Sequence, residues 1–104
     1  MTKYQVYETQ EYKEWISKET LKSQRQVHSR VLNIEEEGHF GHHKYLERFE
    51  IWELKFNDGR RVYYTLIPES NIILLLGGNK NGQNQDITKA KKILRKHTQA
   101  KAED

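Results

Sequence analysis

Residues 49–80, FEIWELKFNDGRRVYYTLIPESNIILLLGGNK, decide the fold because they predict three consecutive strands separated by turns. The predicted strands are 51–56, 61–67 and 72–76. Asn57-Asp58-Gly59 suits a tight hairpin turn, because glycine tolerates positive φ and aspartate bonds its own backbone. The only proline, Pro68, falls in the second turn, where it removes no ladder hydrogen bond. Two successive hairpins predict a three-stranded antiparallel meander.

The strand at 61–67 alternates in polarity, so its two faces differ. One face carries a cation and a phenol that could face a ligand, and the other is apolar enough to cover a core: Arg61, Tyr63 and Thr65, and Val62, Tyr64 and Leu66. The strand at 72–76 is a continuous apolar run. Such a run favours a strand that lies centrally in the sheet or is covered on both faces.

The first part of the chain predicts one strand and a helical hairpin. Residues 4–7 alternate and are aromatic, which predicts a strand paired with an edge of the meander. Apolar residues at helical spacing predict helices at 10–18 and 21–37, and Gly38 is placed to end the second. Residues 39–45 are predicted to form a loop.

The end of the chain predicts a basic helix that begins near Asp86, which we expect to cap it. Six Lys or Arg residues and no acid lie between 89 and 101. This pattern fits either a phosphate-bearing partner or a solvated helix face. Residues 98–104 lack apolar anchors and are predicted to fray, so the sequence predicts a single domain over residues 1–97.

Composition bounds the class of protein. The chain has 104 residues, a net charge of +3, 35% hydrophobic and 32% charged residues, and no cysteine. Disulfides and thiolate metal sites are therefore excluded, and a reducing compartment is favoured. The N-terminus lacks an apolar signal core, and the run at 72–76 is far too short to span a membrane. We expect a cytoplasmic protein.

Three histidines lie close together in the predicted loop: His39, His42 and His43. A zinc site needs three or four convergent ligands, and this spacing, without Asp or Cys nearby, does not match one. We therefore expect no metal, and a loop that is solvated or faces RNA.

Four motifs then resemble those of one group of bacterial toxins. They are Trp52-Glu53-Leu54-Lys55-Phe56, Gly59-Arg60-Arg61-Val62-Tyr63-Tyr64, Leu74-Leu75-Leu76-Gly77-Gly78-Asn79-Lys80, and Gln83 followed by Asp86-Ile87 with Lys89-Ala90. With the order of elements, they resemble the RelE/ParE toxin superfamily, and within it the HigB-like, phage-derived (Gp49-like) addiction module killer proteins. Each motif is weak alone, whereas the combination is fairly specific. The resemblance covers roughly residues 4–97.

The resemblance implies an α+β fold of the RelE type, in the order β-α-α-β-β-β-α. An N-terminal helical hairpin would pack on a twisted, mainly antiparallel four-stranded sheet. It also implies a type II toxin that cleaves mRNA, with or without the ribosome, and uses no metal or other cofactor. The RNA 2′-hydroxyl attacks the adjacent phosphate, cations stabilise the extra charge, and an acid protonates the leaving oxygen.

The implied partner is a cognate antitoxin, usually a small helix-turn-helix protein. In this group the antitoxin binds operator DNA together with the toxin. The toxin would thus meet DNA only through its antitoxin, and no membrane is involved.

The resemblance also implies site residues. Arg61 is assigned to phosphate clamping and transition-state stabilisation, and Lys55 and Lys80 are further cations. Tyr63, on the same face as Arg61, would stack a base or supply a proton. Three arginines would widen the RNA-binding surface: Arg48, Arg60 and Arg95.

The sequence departs from the best-known ribosome-dependent nucleases at one position. Those proteins carry a catalytic tyrosine near the start of the last helix, where this chain has Asp86-Ile87. The histidine loop is our hypothesis for the missing acid or base, because histidine titrates near neutral pH. His39, His42 and His43 are the candidates.

Alternatives stay open for the function and for Arg61. The cations favour an RNA endonuclease, whereas the lost tyrosine favours a ParE-type, non-enzymatic gyrase poison; a third possibility is a decayed toxin that only binds its antitoxin. Arg61 could instead form a cross-strand ion pair with Glu53 or Glu50. The nuclease interpretation requires that Arg61, Lys55 and Lys80 converge and that Arg61 is not buried against a carboxylate.

Overall fold

The computed structural model describes residues 3–46 and 50–103, and side chains as far as His97. In chain order the elements are β1 (Gln5–Glu8), α1 (Gln10–Ser17), α2 (Leu21–Glu37), β2 (His43–Leu46), β3 (Ile51–Lys55), β4 (Arg60–Ile67), β5 (Asn71–Asn79), a 3-10 turn (Lys80–Gly82) and α3 (Gln83–Glu103). The predicted α+β class is confirmed. None of the described helices is long and apolar enough to cross a membrane.

All five strands belong to one sheet, in the order β1-β5-β4-β3-β2. β1 runs parallel to β5, and the other neighbours are antiparallel. The predicted meander is therefore β3-β4-β5, and the first strand pairs with its edge as predicted. The apolar strand β5 lies between β1 and β4, which confirms the central position that its continuous hydrophobic run predicts.

The sheet has one strand more than the four that were predicted, because part of the predicted histidine loop is β2. This strand pairs with β3 as an outer strand, with Tyr45 opposite Trp52 and Leu46 opposite Ile51. The Tyr45 and Trp52 ring centroids lie 4.8 Å apart. Four mostly exposed residues carry too little alternation to predict a strand, and the partner strand supplies the stabilising cross-strand contacts.

Thr9 fixes the start of α1 and joins that helix to the sheet. Its hydroxyl oxygen accepts a hydrogen bond from the Tyr12 N–H at 3.0 Å, as an N-cap does. The same hydroxyl lies 2.8 Å from the Leu75 carbonyl and 3.0 Å from the Leu74 carbonyl, to which it donates. At the other end of the hairpin, Gly38 ends α2 with a φ of 68° in the left-handed region.

The sheet lies between two apolar clusters. On one face, the helical hairpin covers the larger cluster, which is formed by Tyr12, Val27, Val31, Ile34, Leu54, Val62, Tyr64, Ile72 and Leu74. On the other face, α3 covers a smaller cluster, which is formed by Ile51, Tyr63, Leu75, Ala90 and Ile93. The face of β4 that was expected to meet a ligand is thus largely covered by α3.

Candidate functional site

Two of the predicted cations are direct neighbours at the end of the β3–β4 hairpin. Lys55 pairs with Arg61, and Arg61 pairs in turn with Gly78 on β5. Directly paired residues project to the same face of a sheet, here the face that α3 covers. Lys80 follows β5, and its side-chain carbons would lie 3.5 Å from a Cβ placed on Gly59. The register therefore brings the three predicted cations to one end of the sheet.

We call this region the α3-side site. Besides the three cations, it contains the polar side chains that β3, β4 and the first turn of α3 direct toward one another. Its residues are Glu53, Lys55, Arg61, Tyr63, Lys80, Gln83 and Asp86.

Arg61 is paired with a buried carboxylate. Its Nε lies 3.1 Å from Glu53 Oε1, and the two side chains are 14% and 0% exposed. Within the described part of the chain neither atom has an aligned hydrogen-bond partner, so the contact is ionic. The other carboxylate oxygen of Glu53 accepts a hydrogen bond from Gln83 Nε2 at 2.7 Å. The cross-strand ion pair considered as an alternative for Arg61 is confirmed.

This ion pair changes what Arg61 can do at the site. The nuclease interpretation required an Arg61 that is not buried against a carboxylate, and that condition is not met. Glu53 balances the guanidinium charge, and Nη1 donates to the Arg60 carbonyl at 2.9 Å, so a phosphate gains less from Arg61 than from a free cation. In the described residues neither Lys55 nor Lys80 forms an ion pair.

Tyr63 belongs to the core and not to an RNA-facing surface. It is fully buried under α3, and its hydroxyl has no hydrogen-bond partner among the described residues. Burial, followed by the negative charges of Glu53 and Asp86, raises the pKa of this phenol far above its ordinary value. A ring enclosed on both sides offers no free face to a base. The structure thus contradicts the base-stacking role and disfavours proton donation near neutral pH.

Asp86 lies in the first turn of α3 but does not cap the helix, since α3 begins at Gln83. Its carboxylate fills the space above Gly78, where a Cβ would overlap it. Desolvation raises the pKa of the Asp86 carboxyl, an effect that Lys89 partly offsets. The sequence therefore assigned Asp86 the wrong structural role, because its position near the helix start could not reveal a glycine opposite it on β5.

A second basic region lies on the other side of the β3–β4 turn, against α2. It is an open groove of about 550 Å³, here called the α2 groove, and it is lined by Arg25, Gln26, Ser29, Arg30, His42, Lys55, Phe56, Asn57, Asp58 and Arg60. Sequence reasoning missed Arg25 and Arg30, because a helical pattern reveals its apolar stripe and not which polar residues face a neighbouring turn.

Arg30 holds the floor of the α2 groove in place. Its guanidinium donates to three backbone carbonyls, and its Cζ lies 4.6 Å from the centroid of the Phe56 ring. The carbonyls belong to Lys55 at 2.8 Å, Phe40 at 2.9 Å and His42 at 3.1 Å. Burial lowers the pKa of this guanidinium. Arg30 therefore ties α2 to the start of β2 and the end of β3.

Arg60, predicted to widen the RNA-binding surface, is also anchored. It donates to Ser23 Oγ at 2.7 Å, forms an ion pair with Asp58, and contacts Gln26. The hydrogen bonds from Arg60 lower the pKa of the Asp58 carboxyl. Arg60 thus joins the β3–β4 turn to α2, and its charge is partly balanced.

The three histidines occupy different surroundings. His42 is exposed and lines the α2 groove, next to Lys55, whose backbone N–H donates to the His42 carbonyl at 2.9 Å. His43 instead packs between the rings of Phe40 and Trp52, each with a centroid 5.5 Å away. His39 is exposed and lines neither region. In the described ranges, no three His, Cys, Asp or Glu side chains gather to hold a metal ion.

Of the two remaining predicted arginines, one lies away from both regions and the other lies outside the described residues. Arg48 lies outside the described residues. Arg95 is exposed on α3, about two and a half turns beyond Asp86 of the α3-side site. The roles proposed for them stay predictions.

The fold is similar to that of solved RelE toxins. One chain of the intact Escherichia coli RelBE toxin–antitoxin complex matches with a TM-score of 0.62 and 15% identity, over 73% of this chain and 95% of that chain. A chain of the Mycobacterium tuberculosis RelBE2 toxin–antitoxin complex matches with a TM-score of 0.62 and 16% identity, over 73% of this chain and 96% of that chain. A double mutant of E. coli RelE in the free state matches with a TM-score of 0.65 and 14% identity, over 85% of this chain and 92% of that chain.

These identities show a shared fold alone, and they confirm the RelE-like architecture predicted from the motifs. No curated protein sequence gives a significant match. The family comparison, in contrast, matches residues 14–98 to the phage-derived, Gp49-like proteins (DUF891). That match covers most of the chain and includes the second half of α1, all of α2, the meander and most of α3. The chain therefore belongs to the Gp49-like family of phage-derived proteins.

Proposed function

We propose that this protein is the toxin of a type II toxin–antitoxin system and a metal-independent mRNA endonuclease in which Lys55 and Lys80, in place of the ion-paired Arg61, stabilise the phosphate. The observation that carries the proposal is the placement of Lys55 and Lys80 at one end of the sheet, beside Arg61 and Asp86. Two cations without a paired carboxylate can stabilise the extra negative charge that builds on a phosphate when the 2′-hydroxyl attacks it. Arg61 orients this face through Glu53 and contributes less to phosphate binding.

Proton transfer has two candidates in this proposal. Asp86 lies in the α3-side site, and its raised pKa brings it closer to neutral pH. His42 lies in the α2 groove next to Lys55, and an imidazole can act as a general acid or base. Asp86→Asn and His42→Gln should therefore reduce cleavage unequally, and the variant with the larger loss identifies the group that transfers the proton.

The proposed partner is a cognate antitoxin, for which a helix-turn-helix protein is our candidate. Two of the structural neighbours come from toxin–antitoxin complexes. We propose that the antitoxin mediates any contact with operator DNA, and that the toxin acts in the cytoplasm on mRNA, on or off the ribosome.

Induced expression followed by mapping of transcript ends tests the nuclease proposal. We expect growth arrest and discrete cuts with the wild type, and loss of both with Lys55→Ala combined with Lys80→Ala. Lys13→Ala, an exposed lysine of α1, is the matched control and should behave as the wild type. Growth arrest without cuts would contradict the nuclease and leave a toxin of another kind.

One observation favours a second candidate function. Glu53 neutralises Arg61, and Tyr63 is buried, so two residues expected to act on RNA are engaged in structure. A non-enzymatic gyrase poison, or a decayed toxin that only binds its antitoxin, needs neither residue. A DNA damage response without transcript cuts supports the poison, and normal growth supports the decayed toxin.

A further inference from the structure

The α2 groove continues into a second open region, so that the two form one surface. This second region, also of about 550 Å³, is lined by Lys18, Glu19, Thr20, Lys22, Ser23, Gln26, Asp58, Arg60 and Asn79. Gln26, Asp58 and Arg60 line both regions. The joined surface therefore runs along α2, from the α1–α2 connection to the start of β2.

Cations outnumber acids along this surface. Its acids are Asp58, which pairs with Arg60, and Glu19, which accepts a hydrogen bond from the Ser23 hydroxyl at 2.8 Å. Its basic residues are Lys18, Lys22, Arg25, Arg30 and Arg60, and Lys55 contributes its backbone carbonyl, which accepts a hydrogen bond from Arg30. A row of cations at an open groove attracts a polyanion, since the fields of neighbouring charges add.

The cations fall into an anchored group and a free group. Arg30 and Arg60 are fixed by carbonyls, a hydroxyl and Asp58, so they shape the groove before any ligand arrives. Arg25 is exposed in the lining of the α2 groove, and in the described part of the chain it makes no ion pair. Arg25 is therefore the side chain best placed to bind a phosphate group.

The groove also offers groups that suit nucleotide bases more than an acidic peptide. Phe56 is half-buried in the lining, and the guanidinium carbons of Arg30 and Arg60 lie 4.6 Å and 5.4 Å from its centroid. Bases stack on aromatic and guanidinium planes. The amides of Gln26 and Asn57 supply donors and acceptors at the same place.

Lys55 connects this groove to the α3-side site. It lines the α2 groove, and it is also the direct cross-strand partner of Arg61. The two regions lie on opposite faces of the sheet and meet at the turn Asn57-Asp58-Gly59. A strand that crosses this turn therefore contacts both regions.

We infer that the α2 groove binds the nucleotides flanking the bond cut at the α3-side site, with Arg25 as the phosphate contact and Arg30 and Arg60 as fixed walls. This inference rests on the proposed function, because it assigns an RNA strand to both regions. It makes the protein a binder of several consecutive nucleotides and not of one phosphodiester.

Binding of uncleavable, fluorescein-labelled 2′-O-methyl RNA of mixed sequence to the full chain tests the inference. Arg25→Glu should weaken binding of a 12-nucleotide strand about tenfold and reduce the salt slope, because a phosphate contact is lost. Binding of a 4-nucleotide strand should change little, since it cannot span both regions. Lys13→Glu, an equal reversal at an exposed lysine that lines neither region, should leave both affinities unchanged.

The outcomes separate this inference from the proposed function. If the wild type cuts transcripts but Arg25→Glu binds the 12-nucleotide strand like Lys13→Glu, the inference is wrong and the nuclease stands. If the wild type neither cuts transcripts nor binds either strand, both are wrong. If poly-glutamate displaces the RNA at equal charge concentration, the groove recognises charge alone, and the assignment to RNA is overturned.

Discussion

At the scale of single residues, the buried carboxylate of Glu53 joins the other polar side chains of the α3-side site. Among the described residues it is the buried carboxylate that has both an ionic partner and a hydrogen-bond donor, in Arg61 and Gln83. Taking a charge out of water costs several kcal/mol, and the contacts of Glu53 with Arg61 and Gln83 offset part of that cost. The shape of the α3-side site therefore depends on the Arg61–Glu53 ion pair and on Gln83, whose side chains are engaged with one another and not with a ligand.

Removing Arg61 should therefore cost more stability than its own contacts suggest. We expect Arg61→Met to destabilise the protein by about 3–5 kcal/mol, because Glu53 is left buried and unpaired. The double variant Arg61→Met with Glu53→Leu should recover most of the loss. Urea unfolding measures both. Lys96→Met, which breaks the exposed pair with Glu11, is the control and should cost less than about 1 kcal/mol.

Asp86 gives a prediction about pH. Its pKa in the folded state is raised by burial, so its contribution to stability is present below the unfolded pKa and is lost as pH rises through the folded pKa. Asp86→Asn should therefore be more stable than the wild type at about pH 7 and equal to it at about pH 3. Urea midpoints at the two pH values measure the difference.

Asp58 serves as the control of opposite sign. Its pKa is lowered by Arg60, so its contribution is present above the unfolded pKa and is lost as pH falls through the folded pKa. Asp58→Asn should be less stable than the wild type near neutral pH, and the deficit should shrink on acidification. If the stability of Asp58→Asn and Asp86→Asn changed with pH in the same way, the opposite pKa shifts of the two carboxyl groups would be contradicted.

At the scale of elements, the approach of α1 to the sheet depends on a glycine of β5. A Cβ placed on Gly77 would overlap the indole ring of Trp15, whereas Gly78 faces Asp86 on the opposite side. Two adjacent glycines thus let a helix approach each face of the same strand. This accounts for the glycine pair at the end of an otherwise apolar run.

Gly77→Ala should therefore loosen α1 specifically. We expect a loss of about 1–3 kcal/mol, as for other overpacked sites, because a ring and not a flexible chain end blocks the new methyl group. Chemical unfolding measures the loss, and a red shift of tryptophan emission reports the movement of Trp15. Gly82→Ala is the control, since its new Cβ would lie 3.4 Å from the nearest atom, the Asp86 carboxylate, at ordinary van der Waals distance. Equal losses for the two variants would refute the close approach.

At the scale of the whole molecule, the two halves of the chain meet in the parallel pair β1–β5. Gln5 pairs with Asn71 and Glu8 with Leu74, so the start of the chain covers an edge of the central apolar strand. Such long-range pairing forms only after the intervening loop has closed, which is costly in entropy. The first strand is therefore expected to complete the fold and not to nucleate it.

Deletion of residues 1–8 should expose β5 as an apolar edge. We expect loss of cooperative unfolding and association of the protein, because an unpaired apolar strand recruits other chains. Size-exclusion chromatography and thermal melting measured by circular dichroism report both. A chain that ends after His97 is the comparison, and the predicted domain 1–97 implies that it melts as the full chain does. A monomeric, cooperatively melting deletion variant would show that β1 is dispensable.

Local patterns predicted most of the fold, and their failures have physical causes. Turn chemistry and alternation located β3, β4 and β5, and the caps Thr9 and Gly38 bounded the hairpin helices. The strand β2 was missed because its stability comes from β3, which its own four residues cannot reveal. The motifs named Lys55, Arg61 and Lys80, which the fold brings to one end of the sheet, but they left two carboxylates, Glu53 and Glu50, as possible partners of Arg61.

The sequence by itself determined the family, the order of the elements other than β2 and the absence of thiol chemistry, because motifs, periodicity and composition are local properties of the chain. Only the tertiary structure decided which charges are free. Glu53 neutralises Arg61 across neighbouring strands, α3 buries Tyr63, and α2 brings Arg25 to the β3–β4 turn. Whether a charge is free depends on distance and dielectric environment, and both are set when segments far apart in sequence pack together.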